Sequence, residues 1–311
     1  QVTSAGLTAT KYLTWDQSNT IVENFIRTQF EAAAGSNQWE TSLQSNPLVT
    51  IVIPVYNGGD LLTSVVNTCL QQDLDADFEI LIIDSSSTDG CISRLPKDDR
   101  IRIHQISKGE FGHGRTRNLS VTLARGEFVA FITQDAIPAN KMWLMNIIAP
   151  LQEDHKVAGV FGCHIAHEGH SPLTRYDLDQ HFNRWIFRSH RKPIELDESR
   201  QIPEAQISNH ERFYSDNNSC LRKTAWKQVP LPEVIYGEDQ LWAIEILRHG
   251  FQKAYASTAI VRHSHEYNFR ETLIRANTEW HFYQQHLKEH LPSTKKEIRA
   301  MIETSCMNEK K

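Results

Sequence analysis

Three short runs rich in β-branched residues, LVTIVIPVY from Leu48, FEILIID from Phe78 and EFVAFIT from Glu127, constrain the fold more than any other feature of the chain. Each is too short for a buried helix, is bounded by turn-forming residues, and lacks the alternation of a half-exposed strand. That is the pattern of a strand covered on both faces. LLTSVVNTCLQQ (61–72) between the first two reads as a helix; after the second come the turn SSSTDG, a short strand RIRIHQI, and a helix expected to begin near Arg117. Strands alternating with helices at this spacing predict βαβ units and a mostly parallel, Rossmann-like sheet flanked by helices, an α/β fold. Ligands of such sheets sit beyond the carboxyl ends of the strands. Tyr56, Asn57, Asp84, Ser85, the segment 108–118, Gln134 and Asp135 follow those ends and are expected to share one crevice.

A chain of 311 residues is long enough for one large α/β domain with appendages. The expected division is an N-terminal helical extension over 1–47, a main domain over 48–266 and a C-terminal helical segment over 267–311. In the extension, Ile21, Val22, Phe25, Ile26 and Phe30 fall on one face of a helix that Gly35 stops, a surface for packing or for a partner enzyme or second copy. The formal charge of -5 gives no general attraction to nucleic acid, so local clusters must carry any anion binding. Such clusters suffice, because salt screens distant charges beyond roughly 8 Å. The five cysteines are scattered, with no Cys-x-x-Cys pair, which fits a reducing compartment without a disulfide framework. With no apolar run of signal-peptide or membrane-span length, a cytoplasmic protein is expected, at most peripheral on a membrane face.

Candidate chemistry lies at the strand ends. Asp84 closes an apolar run, where its carboxylate either accepts amides of the next turn or accepts an N–H from a bound base. In EFGHGRTRN (110–118) and just before it, Gly109, Gly112 and Gly114 allow close backbone approach, and Arg115 or Arg117 sits near a helix start that favours anions. Asp135 either holds Mg2+ or Mn2+ together with phosphate oxygens or caps the turn before Ile137-Pro138. Glu238 and Asp239 either cap a helix start or supply a general base with an orienting partner. His263 and His265 alternate onto one face, where one could complete a metal site or both could be solvated. The stretch 175–213 resists assignment; its basic residues Arg184, Arg188, His190, Arg191 and Lys192 form a solvated face or an acceptor contact.

Taken in order, TIVIPVYN, ILIIDSSSTDG, FGHGRTRN, FITQDA, NNSCLRKTAW and YGEDQLWA resemble a family-2 glycosyltransferase of the GT-A fold over roughly 48–266. FGHGRTRN with TQDA and a late HSH is most similar to bacterial rhamnosyltransferases of polysaccharide assembly, which implies a dTDP-L-rhamnose donor and a glycan or lipid-linked glycan acceptor. The resemblance implies that Pro54, Val55, Tyr56, Asn57, Asp84 and Ser85 hold the nucleotide, and that Phe111, Gly112, His113, Gly114, Arg117, Asn118 and Gln134 approach the nucleotide-sugar and its diphosphate. It further implies that Asp135 contacts Mg2+ or Mn2+, with His263 or His265, that Asp239 is the catalytic base, and that Glu238, Trp242, Asn217 and Asn218 lie near the acceptor. Thr133 stands where the family's metal motif often has its first acid. The alternatives are a UDP-hexose or UDP-hexosamine donor, since uracil and thymine present the same edge to Asp84, or a catalytically silent module that binds sugar nucleotides or glycans.

Overall fold

A computed structural model describes residues 46–189, 193–196 and 207–288. The expected helix with its apolar face in 1–45, the basic residues 190–192 and the segments 197–206 and 289–311 lie outside the described residues. Strands β1 (Val49–Val55), β2 (Phe78–Asp84), β3 (Ile101–Gln105), β4 (Phe128–Ile132), β5 (Ile137–Pro138), β6 (Val157–Ile165), β7 (Asn218–Arg222) and β8 (Gln252–Arg262) form one sheet. Helices α1 (Gly59–Leu70), α2 (His113–Leu123), α3 (Trp143–Glu153), α4 (Pro172–Ser189), α5 (Asn209–Arg212), α6 (Lys223–Trp226), α7 (Glu238–Arg248) and α8 (Phe269–His286) accompany it. Among the described residues no helix is long and apolar enough to cross a membrane. Cys69, Cys91, Cys163 and Cys220 are free, buried thiols.

The strand order is β3-β2-β1-β4-β7-β6-β8-β5. The first four strands run parallel, with Val55 level with Asp84 and Val49 level with Phe128. β7 enters antiparallel between β4 and β6, while β6 and β8 are parallel to each other and β5 is antiparallel to β8. One consequence governs the site. Because β7 is reversed and Asn218 pairs with Ile132, the turn before β7 lies at the carboxyl end of β4. Ile165 pairs with Arg262, so the residues after β6 and β8 reach that same edge.

Apolar side chains alternate across the sheet into two cores. Ile51, Ile53, Ile80 and Ile82 pack against Leu62, Val65 and Val66 of α1 and Leu144, Ile147 and Ile148 of α3. Val52, Leu81, Ile83 and Phe131 face Val121 of α2, Phe182 and Trp185 of α4, and Trp242, Ala243 and Ile246 of α7. Each fully buried Val, Leu or Ile stabilises the fold by about 1.5–3 kcal/mol relative to exposure. At the opposite edge the buried Glu79 accepts from Thr50 Oγ1 at 2.9 Å, from Arg102 at 2.9 Å and from the Arg125 N–H at 2.9 Å, which ties the strand starts together.

Candidate active site

The loop after β1 is bracketed on both sides. Gln134 receives the Tyr56 N–H at 2.9 Å and returns its own amide to the Tyr56 carbonyl at 3.2 Å, so the loops after β1 and β4 are locked together. Asn57, in the left-handed region at φ 51°, donates its N–H to Ser87 Oγ at 2.9 Å and accepts the Thr88 N–H at 2.8 Å. Asp84 Oδ1 accepts the Ser87 N–H at 3.0 Å, which realises the turn-capping alternative for that oxygen. Tyr56, Asn57, Asp84, Ser85 and Gln134 are therefore brought together at one sheet edge. The Tyr56 ring is exposed and its hydroxyl accepts from Lys108 Nζ at 2.9 Å, adding a cation at the mouth. Pro54 is half-buried, Val55 is a core residue whose carbonyl accepts the Ser85 N–H at 2.8 Å, and the buried Ser85 hydroxyl has no hydrogen-bond partner among the described residues.

The glycine loop differs from expectation. α2 begins at His113, four residues before Arg117, with Gly112 extended ahead of it and donating its N–H to Thr116 Oγ1 at 3.2 Å. Phe111 is exposed, edge-on to His113 at 5.2 Å between ring centres. Gly114 does not free the backbone for a ligand: a Cβ there would lie 2.1 Å from the Pro232 carbonyl oxygen, so the glycine is required by packing of α2 against that segment.

Arg117, expected on the diphosphate, is a full turn inside α2 and buried. Its Nε lies 2.9 Å from Asp216 Oδ2, an ion pair rather than a well-aligned hydrogen bond, and its Nη1 donates to Glu238 Oε1. Two carboxylates claim this guanidinium, so neither Arg117 nor Glu238 stands free for phosphate or acceptor. Asn118 is likewise committed: its Oδ1 accepts from Trp226 Nε1 at 2.8 Å and the Leu231 N–H at 3.1 Å, and its Nδ2 donates to the Leu231 carbonyl at 2.9 Å. Two residues expected at the acceptor are core instead. Trp242 is fully buried and donates Nε1–H to the Val229 carbonyl at 2.7 Å. Asn218, also fully buried, accepts from Trp143 Nε1 at 2.8 Å and donates to the carbonyls of Cys163 at 3.1 Å and Ala259 at 2.8 Å. Asn217 is half-buried in the turn before β7.

The structure brings Asp135, His263 and His265 together. His263 Nε2 is 3.7 Å from Asp135 Oδ1, His265 Nε2 is 3.6 Å from Asp135 Oδ2, and the two Nε2 atoms are 3.1 Å apart. His167 Nε2 braces the Asp135 carbonyl at 3.1 Å. Burial pushes the His263 imidazole down to about 4, against the pull of Asp135, so at neutral pH it offers a lone pair. One carboxylate and two imidazoles converging on one point are a donor set that fits a divalent cation with positions left for substrate oxygens.

α7 starts at Glu238 behind Gly237, whose φ of 74° and whose contact with Phe282, 2.4 Å from a would-be Cβ, exclude a side chain. That abrupt entry sets Asp239 on the first turn. Its Oδ1 accepts the Gln240 N–H at 2.8 Å and its Oδ2 the Asp216 N–H at 3.3 Å. Burial first, then the Glu238 and Asp216 carboxylates, push the Asp239 carboxyl well above the usual range, in the direction that strengthens a base. Asp216, in SDNNSC, was not among the expected site residues, because charge and spacing in the sequence give no sign of its partner on α2.

A mostly parallel sheet in which β5 and β7 run against the other strands, with the locked loops after β1 and β4, the Asp135–His263–His265 cluster and Asp239 along one edge, is the architecture of the GT-A fold. The chain belongs to glycosyl transferase family 2, whose profile matches residues 50–215. It is 29% identical over 230 residues to the O-antigen chain rhamnosyltransferase RfbN of Salmonella typhimurium, covering 73% of this chain and 69% of that protein. To the O-antigen chain rhamnosyltransferase WbaN of Salmonella anatum it is 30% identical over 232 residues, covering 74% and 70%. Among solved structures, the mannosyltransferase PcManGT of Pyrobaculum calidifontis in complex with GDP-Man and Mn2+ matches with TM-score 0.54 at 15% identity, over 89% of this chain and 74% of that one. S. aureus TarS 1–349 in complex with UDP-GlcNAc matches with TM-score 0.50 at 19% identity, over 79% and 62%. These two likenesses are of fold.

Proposed function

We propose that this glycosyltransferase moves L-rhamnose from dTDP-L-rhamnose to a glycan hydroxyl during assembly of a bacterial polysaccharide, with inversion at the anomeric carbon. The observation that carries the chemistry is the half-buried Asp239 carboxyl, made more basic by its surroundings at the first turn of α7. Likeness to the two Salmonella rhamnosyltransferases supports the donor.

In this reading Asp239 removes the proton of the acceptor hydroxyl as that oxygen attacks the anomeric carbon from the face opposite the nucleotide. The bond from that carbon to the diphosphate oxygen breaks and the nucleoside diphosphate leaves. Tyr56, Asn57, Asp84 and Gln134 line the nucleotide side, and Lys108, hydrogen-bonded to the Tyr56 hydroxyl, supplies a cation near the phosphates. Asp135, His263 and His265 would hold a divalent cation; two imidazoles favour Mn2+ over Mg2+, whose preference is for oxygen ligands. When bound there, it neutralises charge on the departing diphosphate.

A donor panel tests the assignment. dTDP-L-rhamnose, UDP-glucose, UDP-N-acetylglucosamine and GDP-mannose are offered with a polysaccharide acceptor and Mn2+, and nucleotide release is measured. Release from dTDP-L-rhamnose at a kcat/KM at least tenfold above the others supports the reading; preference for a UDP-sugar replaces the donor, and release from none rejects transfer.

A further inference from the structure

Arg117 is held between two carboxylates in the buried cluster beside α7, its ion pairs among the described residues going to Asp216 and Glu238. Asp239, the neighbour of both acids, shares no ion pair with it. Asp216 is fixed on three sides: Ser219 Oγ donates to its Oδ1 at 2.7 Å, Arg117 Nε meets its Oδ2 at 2.9 Å, and its main-chain N–H points to Asp239 Oδ2 at 3.3 Å. The turn carrying Asp216 is itself clamped. Lys253 Nζ, fully buried, donates to the Phe213 carbonyl at 2.7 Å, and Tyr214 OH donates to the carbonyls of Val160 at 3.0 Å and Cys220 at 3.1 Å.

We propose that Asp216 is a positioning residue for Asp239: it keeps the Arg117 guanidinium on itself and Glu238, so the base stays uncompensated, while its N–H fixes the orientation of Asp239 Oδ2. The proposal rests on the reading of Asp239 as the base. One guanidinium cannot neutralise three adjacent carboxyls in a medium of low dielectric, and where it goes decides which acid keeps its charge. The groups around Asp239 are Arg117 on α2, Asp216 before β7, Glu238 on its own helix, Tyr236 just ahead of that helix and Lys253 on β8, with His113 of α2 facing Asp216. Asp216 and Glu238 act to raise the Asp239 carboxyl and Arg117 to lower it.

Asp216→Asn keeps the main-chain N–H, the shape and the Ser219 contact, but removes the charge and releases Arg117 toward Asp239. The Asp239 midpoint then falls by about one pH unit or more, and the acid limb of the kcat/KM profile moves down with it. Asp216→Glu, which keeps the charge, brings the midpoint back toward that of the parent. The midpoint is read without substrate, by 13C NMR of aspartate-labelled protein, with the signal assigned through Asp239→Asn. Should Asp216→Asn not be recovered folded, Ser219→Ala weakens the hold on the Asp216 charge and lowers the midpoint by a smaller amount. An unmoved midpoint in a folded variant overturns the proposal, whatever the activity. A midpoint that falls while the rate profile stays in place supports the positioning of Asp239 and instead rejects Asp239 as the base.

Discussion

His263 and His265 bring their Nε2 atoms to 3.1 Å of each other, each beside a different oxygen of Asp135. Imidazole nitrogens that face at this distance share either a proton or a cation, and ligands about 2.1 Å from a divalent ion in octahedral geometry stand about 3 Å apart.

Replacing both histidines by alanine removes two of the three ligands proposed for the cation. Mn2+ affinity is expected to fall at least tenfold by calorimetric titration in the presence of dTDP, with Mg2+ the weaker ligand of the parent protein. Equal affinity before and after the double substitution contradicts the assignment.

The same histidine makes stability depend on pH. His263 is depressed from 6.5 to about 4 in the folded protein, so between those values the unfolded chain binds more protons and stability rises with pH. Free of metal, the protein should lose stability as pH falls from about 6.5 to 4, on the order of 3 kcal/mol from this group alone, with no further loss from it below. Denaturant unfolding of the parent and His263→Phe across that range measures the difference; identical slopes exclude His263 as the source.

Asn218 is assigned to the core by its three hydrogen bonds, not to the acceptor. Asn218→Ala strands the Trp143 N–H and two carbonyls in a buried site, at about 1–3 kcal/mol for each group left unsatisfied. A lower unfolding midpoint with unchanged acceptor KM is expected; a KM effect without loss of stability would return Asn218 to the acceptor site.

What was legible in the sequence follows from how local the physics is. β1, β2 and β4 read correctly because a strand buried on both faces is usually a near-continuous apolar run, and these three are. β7, NSCLR, is just as buried yet carries Asn218 and Arg222, satisfied by partners distant in sequence, and Ser219, satisfied by Asp216 in the turn before it, and it gives no strand signal. α2 was expected to start near Arg117 because the glycines look like loop, whereas Gly114 is a packing glycine inside the helix. Arg117 itself shows where sequence falls silent: its charge and position were plain, but Asp216 and Glu238, which take that charge, lie about a hundred residues on. Alternation along an extended chain predicts that His263 and His265 share a side, whereas the meeting of one of them with Asp135 was implied by the family resemblance, and the structure sets both beside that carboxylate.

The most direct measurement is the single-turnover rate of Asp239→Asn with donor binding followed in parallel. A positioned base contributes about a hundred- to ten-thousand-fold, so the account predicts transfer slowed by that much in a protein that folds and binds dTDP-L-rhamnose as the parent does. Transfer at near-parental rate in that variant would contradict it.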